Sequence, residues 1–119
     1  MVKSIRPFIG AKDFDESVDF YQELGFLEIK VSRNMSYFKV DDKFGFYLQR
    51  AFVKDWVDNS MLFLEVENIE NYLAGMKSKN IFTKFPKSKL SEIIVHDWGK
   101  EFFLHDPSGI LWHIGNFKA

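Results

Sequence analysis

The 119-residue chain has no cysteine, which excludes disulfides, thiolate nucleophiles and Cys-ligated zinc and fits a reducing compartment. It has no charge of one sign to spare. Its 16 Lys and Arg stand against 17 Asp and Glu, interspersed and without the basic stripe that a phosphate backbone requires, so nucleic acid is not an expected partner. No apolar run approaches the roughly 20 residues that span a bilayer, and Met1–Ala11 carries no signal-peptide core ahead of a small-residue cleavage site. A soluble, cytoplasmic protein with no membrane partner is expected. There is neither a glycine loop of the kind that cradles phosphates nor a nucleophile-elbow Gly–Ser pattern. The histidines, His96, His105 and His113, form no close His-x-His or His-x-x-x-His pair, and no carboxylate is clearly shared among them. Covalent and general-base catalysis are left without support.

Aromatic residues are what the chain has in quantity: 18% of the residues, with 14 phenylalanines. A single domain of this size buries roughly two-thirds of its unfolded surface. Rings in excess of one small core suit a protein that lines a groove with them.

Along the chain, Ser4–Ala11 reads as a first strand, with Pro7 near its edge or end. Asp13 and Glu16 form a capping box, and Phe14, Val18, Tyr21 and Leu24 recur at helical spacing until Gly25 ends the pattern. The period then becomes two, predicting strands over Phe26–Val31, Met35–Val40 and Phe44–Gln49. Phe52–Ser60, polar apart from Trp56, reads as a connection. Met61–Val66 begins the order again: Asn68 caps a helix carrying Ile69, Tyr72, Leu73 and Met76, Asn80 ends it, and strands follow over Leu90–His96, Glu101–His105 and Leu111–Asn116.

Sliding the chain by 55 positions lays Asp13 on Asn68, Phe14 on Ile69, Gly25 on Asn80 and Phe26 on Ile81. The expected fold is α+β, one domain of two tandem βαβββ modules with curved mixed sheets: module one over 4–50, a linker over 51–60, module two over 61–117.

Lys12–Phe26, KDFDESVDFYQELGF, and Trp98–Leu111, WGKEFFLHDPSGIL, together resemble the vicinal oxygen chelate superfamily, which includes glyoxalase I, extradiol dioxygenases, fosfomycin-resistance enzymes and bleomycin-resistance proteins. The Trp98–Gly99 pair and the Asp58–Asn59 pair ahead of the fifth strand are similar to the bleomycin-resistance branch. Physically, Asp106-Pro107-Ser108-Gly109 is a β-turn, and Phe20 and Tyr21 should pack the helix on the sheet.

Enzymes of that superfamily hold a divalent ion with one residue from each of four strands. The resemblance places those positions on Arg6, on Gln49 or a neighbour, on Met61 and on His113. An arginine has no lone pair to give and a thioether is too soft for zinc, nickel or iron(II), so no metal and no other cofactor is expected. His113 is kept as a pocket residue. The resemblance further implies a homodimer in which a module of one chain faces a module of the other across a groove, and binding without reaction. The ligand would be an aromatic small molecule, bleomycin-type glycopeptides being the named candidate. Trp98 takes the stacking position, Met35 and Tyr37 the opposing one, and Trp56 a place on the rim; Arg6 and Lys100 put positive charge near the cavity. Trp112, next to His113, should point to the opposite side of the sheet. The rival expectation is a metal-dependent lyase or dioxygenase with an unusual ligand set such as Gln49, His113 and a neighbour.

Overall fold

In a computed structural model, which describes residues 1–118, the chain forms two similar mixed sheets sharing one aromatic core. The first has strands β1 (Phe8–Gly10), β2 (Leu27–Ser32), β3 (Met35–Lys39) and β4 (Gly45–Gln49), in the order β1-β4-β3-β2 with β1 parallel to β4. The second has β5 (Met61–Glu65), β6 (Lys89–Leu90), β7 (Ile94–His96), β8 (Gly99–His105) and β9 (Leu111–Phe117), in the order β5-β9-β8-β6 with β7 also on β8. Here β5 runs parallel to β9, the counterpart of β1 on β4.

The repeat reaches the helix ends. Helix α1 (Phe14–Glu23) starts at Asp13, whose carboxylate accepts from the Glu16 N–H at 3.1 Å; the Glu16 carboxylate meets Lys87 instead of closing the capping box. After α2 (Lys54–Asn59), helix α3 (Ile69–Ser78) starts the same way, the Asn68 side chain accepting from the Asn71 N–H at 3.0 Å. Each chain exit turns left-handed, at Gly25 with φ 97° and at Asn80 with φ 55°, the latter leading into the single turn α4 (Ile81–Lys84). Asparagine tolerates that region better than other non-glycine residues.

Three expectations are corrected. Of Ser4–Ala11 only Phe8–Gly10 is strand, because Pro7 has no N–H to give and the parallel ladder on β4 covers only Tyr47–Gln49. The stretch Leu90–His96 is two short strands separated by Ser91–Ile93, both laid on β8. The connection over 51–60 holds a helix whose Val57 is wholly buried.

Alternate residues of both sheets point inward. Phe38, Phe46 and Leu48 from the first and Phe102, Leu104, Trp112 and Ile114 from the second close on Phe20 and Tyr21 of α1, and all are essentially buried. Burying each such ring stabilises by roughly 2–3 kcal/mol relative to leaving it in water. Tyr21 touches Phe38, Phe46 and Trp112 with ring centroids 5.6, 5.0 and 5.8 Å away, so one residue spans both sheets.

A polar seam runs through the same place. The Tyr21 hydroxyl donates to Asp106 Oδ2 at 2.6 Å and accepts from Trp112 Nε1 at 3.0 Å. Asp106 Oδ1 in turn accepts from the N–H groups of Ser108, Gly109 and Ile110, each at 2.9 Å. The turn expected at Asp106–Gly109 therefore also clamps α1 of the first half to the second half. Burial pushes the Asp106 carboxyl up to about 6, against hydrogen bonds from Tyr21 and the three N–H groups that pull it down. Burial likewise raises the Tyr21 hydroxyl, with the Asp106 charge adding to it.

Candidate functional site

With the inward set of side chains committed to the core, the outward set should be polar on a sheet that faces water. It is not. On the first sheet the outward residues include Leu27, Ile29 and Val31 of β2, Met35 and Tyr37 of β3, Tyr47 and Gln49 of β4 and Phe8 of β1, several of them well exposed. The Phe8 and Tyr47 rings stack at 4.8 Å. Arg6, just before β1, lays its guanidinium 4.2 Å from the Tyr37 ring centroid and donates to the Tyr47 hydroxyl at 2.9 Å. Trp56 of α2 packs on Gly10, where an added Cβ would stand 2.7 Å from its ring.

On the second sheet the outward residues are Met61 and Phe63 of β5, Ile94 and His96 of β7, Glu101, Phe103 and His105 of β8, and Leu111, His113 and Phe117 of β9. Trp98 sits in the tight turn between β7 and β8, 37% exposed. Its ring stacks on His96 at 5.0 Å and 16°, and lies 5.0 Å from Phe117 and 6.1 Å from Phe63. Phe63 and Phe117 are about half exposed, at 46% and 50%. Contiguous exposed rings of this kind are unusual on a surface that meets only water.

Gly99 makes the Trp98 turn possible. Its φ is +155° and a Cβ there would run into the Asn116 carbonyl oxygen across the β8–β9 ladder. Gly99→Ala is expected to lower stability by about 2 kcal/mol or more in denaturant unfolding and to shift Trp98 emission, since overpacking and a disfavoured backbone act together. Unchanged stability and emission would show that the turn accepts a side chain.

Below the rings lies a polar group that sequence reading missed. Glu101 is nearly buried, with Oε2 2.7 Å from His96 Nε2 and Oε1 2.9 Å from His113 Nδ1, so a carboxylate is shared by two histidines after all. The other nitrogen of His113, Nε2, is 3.2 Å from Met61 Sδ. His105 stands apart: burial, and then Lys89, hold its pKa below the ordinary imidazole value.

The eight residues singled out from sequence thus divide by sheet. Arg6, Met35, Tyr37, Gln49 and Trp56 gather on the outer face of the first, while Met61, Trp98 and His113 gather on that of the second, and one chain does not bring the two sets into one pocket. Lys100 is corrected: it lies on the inward side of β8 and bonds Glu70 at 2.6 Å, so it adds no charge to the outer face. Trp112 is buried in the core, as its alternation with His113 requires. A cavity of about 740 Å³ opens between the sheets, lined by Val40, Phe44, Phe46, Leu64 and Trp112 among others, and contains none of the eight.

The architecture matches solved structures over nearly its whole length. A bleomycin-binding protein from the bleomycin-producing Streptomyces verticillus, complexed with copper(II)-bleomycin, superposes with a TM-score of 0.81 at 20% identity, covering 99% of this chain and 100% of that one. The chain has the glyoxalase/bleomycin-resistance fold. A bleomycin resistance determinant encoded on the transposon Tn5 has a TM-score of 0.81 at 18% identity, covering 99% and 100%, and a lactoylglutathione lyase from Agrobacterium tumefaciens a TM-score of 0.70 at 14%, covering 97% and 94%. No protein-family model matches the chain, and no curated protein matches it.

Some proteins of the glyoxalase/bleomycin-resistance fold carry a metal, and the four positions implied for it do not fit one here. The Arg6 guanidinium is spent on Tyr37 and Tyr47 and has no lone pair, and His113 is paired with a thioether on one side and a carboxylate on the other. His96 Nε2 and His113 Nδ1 each meet a different oxygen of Glu101. Among the described residues no group of three or more His, Cys, Asp or Glu side chains is placed to hold a metal ion. No helix among them is long and apolar enough to cross a membrane.

Proposed function

We propose that this chain is a binding protein for an aromatic small molecule, acting by sequestration, with metal-free bleomycin-type glycopeptides as the first ligand to try. The observation that carries the reading is the outer face of the second sheet, where Trp98, His96, Phe63 and Phe117 stand together and partly exposed over a buried carboxylate. Planar rings stacked on such side chains gain roughly 0.5–1.5 kcal/mol each beyond burial of area. A few of them suffice for micromolar binding. The likeness in fold to two bleomycin-binding structures supports the choice of ligand.

The site is completed by a second copy of the chain. Each copy offers two unlike aromatic faces, and a two-fold dimer that lays the first-sheet face of one over the second-sheet face of the other makes two equal grooves. Arg6, Tyr37, Met35 and Gln49 then form one wall, with Trp56 toward its end, and Trp98, Met61 and His113 form the other. In this reading the residues separated within one chain share a groove.

Tryptophan emission titrated with metal-free bleomycin tests it. A saturable change at micromolar drug, with sedimentation showing a dimer, is the expected result. A flat titration at high drug concentration would remove bleomycin as ligand.

A further inference from the structure

Glu101 is only 7% exposed, and both of its oxygens face imidazole nitrogens, at 2.7 Å from His96 and 2.9 Å from His113. Its neighbour Lys100 turns to the other side of the sheet. A carboxylate so sheltered is costly unless strong donors meet it, and here the two rings supply them. That fixes the Nδ1 of His113 as a donor. Its Nε2 then lies 3.2 Å from the Met61 sulfur, and a thioether accepts but never donates. For that contact to be a hydrogen bond the proton must sit on Nε2, and His113 then donates from both nitrogens, inward to Glu101 and outward to sulfur.

The outward partner is poor and replaceable. A thioether is a weak acceptor, and Met61 is 65% exposed, free to swing away. The His113 ring lies beneath the rings of the face, near-parallel to Phe63 at 6.3 Å and edge-on to Phe103 at 5.1 Å, so an oxygen carried by a ring stacked there comes within reach of Nε2. Among oxygens, an anionic one gains most from a donor whose other side is held by a carboxylate.

We infer that His113, positioned by Glu101, is the polar anchor of the aromatic face and selects ligands whose ring carries an acceptor oxygen, carboxylates above all, the oxygen displacing the Met61 sulfur from Nε2. This rests on the reading of that face as the ligand site and adds the class of ligand. His96 shares the arrangement from the other side: it holds the second oxygen of Glu101 and supports the Trp98 ring.

The test uses one ring with two charges, 2-naphthoate and 2-naphthylmethylammonium, titrated into the whole protein by calorimetry, with the histidine side-chain nitrogens followed by NMR. Naphthoate is expected to bind at least about tenfold tighter than the amine and to move the Nε2 resonance of His113. Glu101→Gln should weaken naphthoate by about tenfold or more, the scale of a hydrogen bond to a charged group, and weaken the amine much less. Met61→Leu removes the sulfur that the oxygen displaces and should tighten naphthoate more than it tightens the amine. If Glu101→Gln unfolds the sheet, the two ligands on the unaltered protein and the His113 resonance still decide. Equal or tighter binding of the amine, abolished by Trp98→Ala, would overturn the role of His113 while keeping the face as a ring-binding site; binding of neither ring would overturn both.

Discussion

Asp106→Ala is expected to lower the free energy of unfolding by about 4 kcal/mol and the melting temperature by about 15 °C, while leaving the outer faces intact. The side chain accepts four hydrogen bonds in a site closed to water: one from Tyr21 and three from the backbone N–H groups of Ser108, Gly109 and Ile110. Each donor left unpaired costs about 1–3 kcal/mol, and the Gly109 N–H keeps a second partner in the Asp106 carbonyl oxygen, so the sum stays below four full penalties. Asp106→Asn keeps an oxygen for the three N–H groups and should cost less.

That milder variant also exposes a pH dependence. Since burial raises the Asp106 carboxyl to about 6 from an ordinary 3.8, the folded state holds its proton more tightly than the unfolded chain does. The stability it contributes is fully present below about pH 4 and is lost as pH rises through about 6. Between pH 7 and pH 5 the wild type should gain about 1 kcal/mol relative to Asp106→Asn. Melting curves of both proteins over that range measure it, and parallel profiles would show that Asp106 does not titrate there.

Trp98→Ala is expected to weaken ligand binding by about 30-fold or more with little loss of stability. Aromatic residues at the centre of a binding face commonly carry 2 kcal/mol or more each, and Trp98 touches three of the other rings of its face. It lies in a turn and outside the core, so its removal opens no cavity. Trp112→Ala should do the reverse, since that ring is packed against Tyr21, Phe26 and Phe46 and reaches neither outer face. Calorimetric affinities beside chemical denaturation separate the two. Equal affinity in wild type and Trp98→Ala would move the site away from this turn.

What was legible in the sequence was what local chemistry decides. Asp13 and Asn68 cap helices because each needs only the N–H three residues on, and Gly25 and Asn80 end them because each must turn left-handed. The period of two told Trp112 from His113 because neighbours on a strand point oppositely. What failed depended on partners distant in the chain. Helix α2 has no side-chain cap and holds through the burial of Val57, so Lys54–Asn59 carries no signal of its own. Local pattern gives Glu101 no role. Its meeting with His113 is set by the register of β8 on β9, and its meeting with His96 by the two-residue turn holding Trp98. The one hint was a charged residue in an otherwise apolar run, EFFL, on the same face as Phe103. Asp106 was read as a turn residue, and no local pattern announces its bond to Tyr21, 85 positions earlier.

Calorimetric titration of metal-free bleomycin into the wild-type protein, with Trp98→Ala beside it, tests the central claim most directly. Saturation near one drug per chain, at micromolar affinity or tighter and lost in the variant, is the predicted result, since the proposed dimer would hold two grooves. Absence of heat at high drug concentration, or binding that Trp98→Ala leaves untouched, would contradict it.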